Sequence, residues 1–369
     1  MSDHLRRIKF CERFFSFPEL CRCNTSFPIT FRNESQGFEN IKNIPIIIVA
    51  SNRPYYLMES LKSLLNARGV QKSNIIVDLD ENCPESIGLV ELFGLKYNIR
   101  PAKCSKRCRI SSHYKSIFGM ISAFNFEHAF IFEDDLIVSS DIFYLFSTTL
   151  NVYQADNSIF CVSAWNDHGY KHSVGDLTML YRVQFMPGLG LVLSKDIVKE
   201  ILQKWPNRPD TNWDVWIREF VLNGRVCIIP DVSRTFHIGV YGVHINPAFQ
   251  KSHFEGRFFK PKINVTISVD NLEREEYSDM ILYLANNSKE ESYENVCKIA
   301  ATAKSPHLNS WPLSRTELSD ITRVVVMDDG MKPKETFLSL FKVWIEGIHY
   351  IFIKCPKSSI CEKIENSTR

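Results

Sequence analysis

The stretch FIFEDDLIVS, residues 130–139, places three consecutive acids at the end of an otherwise apolar run. Unpaired carboxylates at the edge of a core are costly, and Glu133, Asp134 and Asp135 also repel one another. The preceding residues, HAFIF (128–132), are typical of a buried β-strand. The acids would therefore follow the carboxyl end of a strand, where open α/β sheets bind their ligands.

The residues before this stretch alternate between strand and helix patterns. IPIIIVA (44–50) and NIIVDLD (74–80) are apolar runs of strand length. Ser111 or Ser112 could cap a further helix that leads into the strand at 128–132. Between the first two strands, four leucines recur at helical spacing: Leu57, Leu61, Leu64 and Leu65.

Later segments continue the alternation, with strands expected in SIFCVSAW, LYRVQF and VCIIP and helices near 195–204 and 213–222. This pattern predicts an α/β fold with an open sheet over residues 43–255. Residues 1–42 lack clear periodicity and are expected to be a stem remnant or irregular segment. Residues 256–369 are expected to form a smaller α+β region, with β-structure in KPKINVTISV and GIHYIFIKCP and partly helical structure over 270–300.

The composition is that of a globular protein. The chain has 369 residues, of which 44% are hydrophobic and 23% charged, and its formal net charge is +2. Such a charge gives no basic surface for nucleic acid, so no nucleic-acid partner is expected. No run approaches the roughly 18–20 apolar residues that span a bilayer, so the sequence predicts neither a membrane anchor nor a targeting segment in this chain.

Cysteines and glycosylation sequons favour a secretory compartment. There are 11 cysteines, with close spacings at Cys21/Cys23, Cys104/Cys108 and Cys355/Cys361. A zinc site is the alternative, but these spacings lack the paired C-x2-C or H-x3-H pattern. N-x-[ST] sequons occur at Asn24, Asn33, Asn264, Asn286 and Asn366.

The three acids are candidates for a cation site. Carboxylate oxygens suit Mg²⁺ and Mn²⁺, which share their coordination shells with water and phosphate oxygens. A bound cation would also relieve the mutual repulsion of the acids. The alternative is an acidic strand exit in which every carboxylate is solvated.

Three further positions could carry chemistry. Asp214, in NWDVWIREF (212–220), is flanked by two tryptophans, whose desolvation could raise its pKa and suit a general base. Alternatively, Asp214 only meets the dipole of a helix start. Arg53 follows the first strand and could meet a pyrophosphate, and His113 could contact a nucleotide, although either could be an ordinary surface or core residue. His237 in RTFHIG is similarly ambiguous.

Several blocks in fixed order carry a family resemblance: FEDDL, FCVSAWNDHGY, LYRVQFMPGLG, NWDVWIREF and CIIPDVSRTFHIG. From about Ile44 to Pro356 the chain resembles the inverting β-1,2-N-acetylglucosaminyltransferases, which use UDP-GlcNAc to extend an α-linked mannose. That resemblance implies a GT-A-like catalytic domain, a mannose-bearing glycoprotein acceptor and residence in the Golgi lumen or membrane. It also implies a membrane anchor that this chain does not contain. The blocks NDHGYKH, MPGLG and IIPDVSR favour the branch that acts on protein O-linked mannose, whereas EDD is the form found in the branch that acts on the α-1,3 mannose of N-glycans.

The resemblance also implies roles for individual residues. Asp135 matches the sole protein ligand to Mn²⁺, which would offset the charge on departing UDP. Asp214 matches the general base for a single displacement with inversion. The remaining implied roles are ribose and donor-sugar contacts by Glu133 and Asp134, nucleotide contacts by Arg53 and His113, uracil recognition by Asp80, and a disulfide between Cys161 and Cys227.

Two positions depart from the family pattern. Leu191 replaces a usual tryptophan, and Ser51 replaces a cysteine, which would leave Cys83 without its usual disulfide partner. Neither departure touches the expected metal or base position, so an active enzyme is favoured. The alternatives are a catalytically inactive nucleotide-sugar or glycan-binding module on the same fold and, less favoured, a metal-dependent phosphoester hydrolase, for which the sequence offers no further set of ligands near the acids.

Overall fold

The structure is a computed structural model that describes residues 2–22, 37–100, 104, 106–243, 245–303, 306–327, 336–337, 340–354 and 361. The sequons at Asn24, Asn33 and Asn366 lie outside the described residues. The chain forms two compact units, each built from three segments. Unit 1 comprises Met1–Ser147, Leu189–Val221 and Thr235–Gln250, and unit 2 comprises Thr148–Gly188, Leu222–Arg234 and Lys251–Arg369.

The helices of the described residues are, in chain order, α1 (Asp3–Cys11), α2 (Pro18–Cys21), α3 (Pro54–Leu65), α4 (Pro84–Phe93), α5 (Lys106–Ala123), α6 (Ile142–Ala155), α7 (Lys195–Lys204), α8 (Trp213–Phe220), α9 (Pro247–Phe249), α10 (Arg274–Asn287), α11 (Tyr293–Thr302) and α12 (Arg315–Ile321). Across the residues that can be described, none of these helices has the length and apolar composition needed to cross a bilayer.

The strands of the described residues are β1 (Ile46–Ala50), β2 (Ile75–Leu79), β3 (Lys96–Ile99), β4 (His128–Glu133), β5 (Leu136–Val138), β6 (Ile159–Ser163), β7 (Leu180–Val183), β8 (Leu191–Ser194), β9 (Val226–Pro230), β10 (Thr235–His237), β11 (Lys289–Glu290), β12 (Thr322–Met327), β13 (Leu340–Ile345) and β14 (Ile348–Lys354).

Five strands of unit 1 lie side by side in the order β3-β2-β1-β4-β8. β1 runs parallel to both β2 and β4, with Ala50 opposite Leu79 and Val49 opposite Glu133. β8 is antiparallel to β4. The carboxyl ends of β1, β2 and β4 therefore meet at one edge, and the predicted α/β open sheet is confirmed.

The first strand and helix form as the sequence predicts. Ile46, Ile47 and Ile48 of β1 are buried, as expected for a strand covered on both faces. α3 begins at Pro54, which tolerates the first helical position because its missing N–H has no partner there. The predicted apolar face of α3 is confirmed, because all four of its leucines are buried: Leu57, Leu61, Leu64 and Leu65.

The predicted start of the next helix is wrong. α5 begins at Lys106, so Ser111 and Ser112 lie inside the helix instead of capping it. Ser111 is buried within the fold. The disulfide between Cys104 and Cys108 ties Cys104, which precedes α5, to the first turn of the helix.

The N-terminal segment is more ordered than its sequence pattern indicates. α1 and α2 are joined by a disulfide between Cys11 and Cys21. Phe14 packs so tightly against Gly88 of α4 that a Cβ on this glycine would lie 2.4 Å from the phenyl ring. Helices this short give little periodicity, so aromatic packing and the disulfide, rather than a repeating pattern, hold the segment.

Unit 2 contains two groups of strands. β9 lies between β6, to which it is parallel, and β7, to which it is antiparallel. The disulfide between Cys161 and Cys227 links β6 to β9, as the resemblance implied. A second sheet has the order β11-β12-β14-β13 and is accompanied by α10, α11 and α12. The expected α+β character of the C-terminal region is confirmed.

The β-structure expected in KPKINVTISV is absent. Residues 260–269 are described throughout and contain no strand. Ile263 and Ile267 are nevertheless buried, and Ile263 packs in a small core with Val174 and Val232. The apolar alternation therefore reflects side-chain burial along an irregular segment rather than ladder pairing.

Candidate active site

Arg53 and two of the three acids meet at the carboxyl edge of the unit 1 sheet. Arg53 is in the segment between β1 and α3, and Asp134 and Asp135 follow β4. The Nη1 of Arg53 lies 2.6 Å from Oδ2 of Asp135, and its Nη2 pairs with Oδ1 of Asp134. Burial opposes protonation of Arg53, but the two carboxylates outweigh it and raise the pKa of the guanidinium above its ordinary value.

Asp134 holds the ends of β1 and β4 together. Its side chain is fully buried, and its Oδ2 accepts a hydrogen bond of 3.0 Å from the backbone N–H of Ser51. Burial raises the pKa of Asp134 to about 6, although Arg53 acts in the opposite direction. Both carboxylate oxygens of Asp134 are thus engaged by residues that follow β1.

Asp135 is the acid best prepared to bind a cation. Its Oδ2 also lies 3.3 Å from Nε2 of His237. Burial disfavours the charged form, but His237 and Arg53 outweigh it and lower the pKa of Asp135 to about 2, so the group is ionised at neutral pH. Its other oxygen, Oδ1, is buried and has no hydrogen-bond partner among the described residues.

The segment around His237 is fixed beside Asp135 by strand pairing. β10 is antiparallel to β5, which places His237 opposite Leu136. The backbone N–H of Ile238 donates to the carbonyl of Asp135 at 2.9 Å. Sequence reasoning left His237 ambiguous because its partner is about a hundred residues earlier in the chain.

Gly239 is packed closely against the carboxylate of Asp135. A Cβ at this position would lie 2.5 Å from Oδ2 of Asp135 and 2.9 Å from Cε1 of His237. Glycine is therefore required here by close approach, since no other residue fits without moving the acid or the imidazole.

Glu133 belongs to a different local arrangement, with Tyr114 of α5. The Tyr114 hydroxyl donates to Oε1 of Glu133 at 2.5 Å, and burial, with Asp135 as a further cause, raises the pKa of Glu133 to about 7. Burial and then Glu133 raise the pKa of Tyr114 well above its ordinary value. The sequence did not predict Tyr114 as a site residue. The one feature that could have indicated it is its position next to His113 in the chain.

The expected environment of Asp214 is wrong in one respect. Asp214 is not enclosed between indoles, because 32% of its side chain is exposed and Arg218, one turn along α8, lies 2.6 Å from its Oδ2. Trp213 instead stacks on Tyr114, with ring centroids 3.8 Å apart. The stack fixes the start of α8, so Asp214 remains accessible from solvent while its helix is held against α5.

Asp80 follows β2 at the same edge of the sheet. Its Oδ2 lies 3.0 Å from Nε of Arg109, which also pairs with Glu81 at 2.7 Å. The Oδ1 of Asp80 is buried and has no hydrogen-bond partner among the residues described. Arg109 was missed, since nothing in KRCRIS distinguishes it from a surface arginine.

His113 does not join the acids. Its Nε2 lies 2.9 Å from Oδ1 of Asp78, which also accepts from Arg100. Burial opposes ionisation of Asp78, but hydrogen bonds from His113 and Arg100 outweigh it and lower its pKa. The structure thus places His113 in an ion-pair group on β2 rather than with Arg53 and Asp135.

Ser51 occupies the position of the missing cysteine. Cys83 is a free thiol, as the departure from the family pattern predicts. The hydroxyl of Ser51 accepts a hydrogen bond of 3.2 Å from Nη2 of Arg109, so a polar contact stands at the position where the resemblance implies a cysteine. Leu191, the other departure, is buried in β8.

The residues around Asp135 fit a hard divalent cation. They offer an ionised carboxylate with one unengaged oxygen, Oδ1 of Asp135. Within the described ranges, no group of three or more His, Cys, Asp or Glu side chains is arranged to hold a metal. Asp135 would be the residue that holds such a cation.

Comparison with known proteins gives a family match over most of the chain. The GNT-I family model matches residues 30–308. The alpha-1,3-mannosyl-glycoprotein 2-beta-N-acetylglucosaminyltransferase of Arabidopsis thaliana is 28% identical over 223 residues, which are 56% of this chain and 49% of that protein. The chain thus spans about half the length of this curated relative.

Solved structures show weaker similarity. The S. aureus protein TarS, residues 1–349, has a TM-score of 0.38 and 10% identity over 53% of this chain and 60% of its own. The mannosyltransferase PcManGT from Pyrobaculum calidifontis, in complex with GDP-Man and Mn2+, has a TM-score of 0.35 and 9% identity over 62% of this chain and 66% of its own.

Proposed function

Because the chain belongs to the GNT-I family, we propose that it transfers N-acetylglucosamine from UDP-GlcNAc to an α-linked mannose of a glycoprotein. The transfer is proposed to form a β-1,2 linkage by one displacement with inversion and to require a divalent cation such as Mn²⁺. The donor and the cation would lie at the carboxyl edge of the unit 1 sheet, where α/β proteins bind nucleotides.

The observation that carries this proposal is the state of Asp135. A buried, ionised carboxylate with an unengaged oxygen is expensive unless a ligand completes it. A cation bound by Asp135 would supply Lewis-acid stabilisation of the diphosphate leaving group. The close approach of Gly239 to Oδ2 leaves the carboxylate of Asp135 in place without a clash.

Arg53 and Asp80 are proposed to bind the donor. The side chain of Arg53 is 27% exposed, so its guanidinium can be reached by a diphosphate, and it already lies beside the proposed cation ligand. The unengaged Oδ1 of Asp80 is an acceptor suited to an N–H of uracil. Asp134 positions Arg53, while Glu133 would meet the donor sugar with Tyr114 fixing its carboxylate.

Asp214 is proposed to be the general base. Its partly exposed carboxylate can accept a proton from the mannose 2-hydroxyl as that oxygen attacks the anomeric carbon. Tyr114 contacts both parts of the proposed site. Its ring stacks on Trp213 at the start of α8, next to Asp214, and its hydroxyl donates to Glu133. Arg218 orients the carboxylate from within the same helix.

The acceptor is proposed to be protein O-linked mannose, on the motifs NDHGYKH, MPGLG and IIPDVSR. The name of the Arabidopsis relative instead specifies an alpha-1,3-mannosyl glycoprotein. The deciding experiment measures release of UDP from UDP-GlcNAc with Mn²⁺ and compares an O-mannosyl peptide with a high-mannose N-glycan. Faster release with the peptide supports the proposal, and faster release with the glycan reassigns the acceptor.

The same assay tests the reaction itself. Release with neither acceptor, from a protein that binds UDP-GlcNAc, would replace the transferase with a nucleotide-sugar-binding module. A product linkage analysis by NMR should give the β anomer at the mannose 2-position, and an α linkage would contradict inversion.

We further propose residence in the Golgi lumen, free or attached to its membrane. The disulfides Cys11–Cys21, Cys104–Cys108 and Cys161–Cys227 suit an oxidising compartment. Asn264 and Asn286, two of the sequon asparagines, are exposed and could accept glycans. Treatment of the expressed protein with an N-glycosidase should reduce its mass, and an unchanged mass would count against exposure to the secretory glycosylation machinery.

A further inference from the structure

Unit 2 contains a cavity of about 260 Å³ between α10, α12 and β7. The volume corresponds to roughly eight or nine water molecules at about 30 Å³ each. Much of its lining is apolar, from Leu180, Leu272, Met280, Ile281, Leu284 and Leu318. A cavity of this composition suits a small organic molecule better than a group of waters.

The side chain of Lys342 lies at this cavity, and no carboxylate of the described residues forms an ion pair with it. Lys342 of β13 is only 8% exposed, and its Nζ donates to the hydroxyl of Tyr277. Nζ also lies 4.3 Å from the ring centroid of Tyr277 and 4.9 Å from that of Tyr181. Burial lowers the pKa of the Lys342 ammonium well below the ordinary value.

The second polar group of the cavity lining is the imidazole of His349. His349 of β14 is 1% exposed, and its Nδ1 is 3.0 Å from Oγ1 of Thr322. The Thr322 hydroxyl donates to the carbonyl of Leu318 at 2.6 Å, so its oxygen accepts from Nδ1–H of His349. Nε2 therefore carries a lone pair, and it has no hydrogen-bond partner among the described residues.

The imidazole of His349 is neutral at physiological pH. Burial, and then the neighbouring Lys342, lower its pKa to about 3. His349 lines the cavity and its Nδ1 is engaged by Thr322, so Nε2 is the ring nitrogen left for a ligand. The cavity thus presents one amine, which a bound anion would hold in its charged form, and one neutral acceptor.

The other charged side chains of the lining are engaged. The carboxylate of Asp176 accepts from Thr178 and from Asn309, and that of Asp270 accepts from Ser268. The guanidinium of Arg315 donates to the side chain of Asn271. Arg315 keeps its positive charge because Asn271 is neutral, so Lys342 and Arg315 both favour an anionic ligand.

We propose that this cavity binds a small hydroxycarboxylic acid with an apolar body, whose carboxylate pairs with Lys342 and whose hydroxyl donates to Nε2 of His349. The ligand would supply the counter-charge and the donor that the protein lacks there, and its apolar body would cover the leucine and isoleucine side chains. The site is built from unit 2 residues alone and is independent of the proposed transferase site.

The test is calorimetric titration of the full chain with 3-phenyllactate. Two matched probes isolate the interactions: 3-phenylpropionate lacks the hydroxyl, and the methyl ester of phenyllactate lacks the charge. We expect saturable binding of phenyllactate, weakened about tenfold or more for the ester and in the Lys342→Met protein, as for loss of a charge-assisted hydrogen bond. Wild type should bind 3-phenyllactate more tightly than 3-phenylpropionate. His349→Phe should bind the two probes with equal affinity.

Folding is checked separately, because both variants change buried residues. Lys342→Met removes a buried amine whose charged form burial disfavours, and it should raise or preserve the midpoint of thermal unfolding. Equal affinity of wild type and Lys342→Met for phenyllactate, or no saturable binding of it to folded wild type, would overturn the proposal. The transferase assay does not enter this comparison, so failure of one proposal leaves the other intact.

Discussion

Gly239 approaches Asp135 so closely that a Cβ on the glycine would lie 2.5 Å from the carboxylate Oδ2. Gly239→Ala must therefore displace the proposed cation ligand, and we expect it to weaken Mn²⁺ binding by about tenfold or more, the loss of one charge-assisted contact. Mn²⁺ titration followed by electron paramagnetic resonance measures this directly.

The matched control is Gly119→Ala in α5, where a Cβ would meet nothing within 4 Å. This variant should bind Mn²⁺ normally and be slightly more stable, by about 0.5–1 kcal/mol, because alanine favours a helix interior. Equal Mn²⁺ affinity in the two variants would show that the close approach of Gly239 to Asp135 is not needed for the cation.

Asp214→Asn should retain UDP-GlcNAc binding and lose transfer by about 10²–10⁴-fold, since an amide cannot accept the proton from the acceptor hydroxyl. Binding is measured by calorimetry and transfer by UDP release. Asp210→Asn, an exposed position shortly before α8, should keep both properties. Near-normal turnover of Asp214→Asn would remove this residue from the mechanism.

Tyr114→Phe separates two interactions of one ring. The variant keeps the stack on Trp213 but loses the hydrogen bond to Glu133, so the KM for UDP-GlcNAc should rise about 10–100-fold, as for a hydrogen bond to a charged group. Tyr97→Phe, which removes a hydrogen bond of 3.0 Å to Glu91 at the surface, should leave KM unchanged. A KM for Tyr114→Phe that matches the control would exclude Glu133 from donor binding.

Asp231 should make unit 2 less stable as pH rises. Burial is the main cause that raises its pKa to about 7, against an ordinary value of 3.8. The folded protein therefore holds a proton that the unfolded chain releases, so this stabilisation is complete below about pH 4 and is lost as pH rises to about 7. Three pKa units correspond to at most about 4 kcal/mol.

Urea unfolding at about pH 4 and about pH 8 measures this dependence. Asp231→Asn imitates the protonated acid. In this variant the free energy of unfolding should fall much less between about pH 4 and about pH 8 than it does in wild type. Asp156 provides the opposite case. Partial burial acts to raise its pKa, but hydrogen bonds from Ser158 and Arg182 outweigh this effect and lower it. Asp156→Asn should be less stable than wild type at about pH 8. If both variants changed stability with pH in the same way, the raised pKa assigned to Asp231 would be contradicted.

Local patterns in the sequence predicted the elements that position the site. The isoleucines of β1 and the four leucines of α3 are buried in the core, and their spacing along the chain was enough to predict this. The start of α5 was missed because Ser111 and Ser112, which have the side chains of capping residues, lie inside the helix. The strand expected over 260–269 was missed because apolar alternation also occurs where an irregular segment buries alternate side chains.

The site could be predicted only as separate parts. The acids at the end of β4 were visible because charge after an apolar strand is unusual, but the contacts of Asp135 with Arg53 and His237 join residues about eighty to a hundred apart in sequence. Asp214 was placed correctly on α8, yet its surroundings were not, because Trp213 stacks on a tyrosine that no pattern distinguished. Side-chain orientation across elements depends on tertiary packing, which spacing alone does not contain.

The pairing of Arg53 with Asp134 and Asp135 bears on how the protein can be handled. These carboxylates have a counter-charge within the chain, so this edge of the sheet does not need an added cation to fold. Chelation would then inactivate the protein without unfolding it, and activity would return when the ion is restored. In this respect the proposed cation differs from a structural zinc, whose removal unfolds its domain.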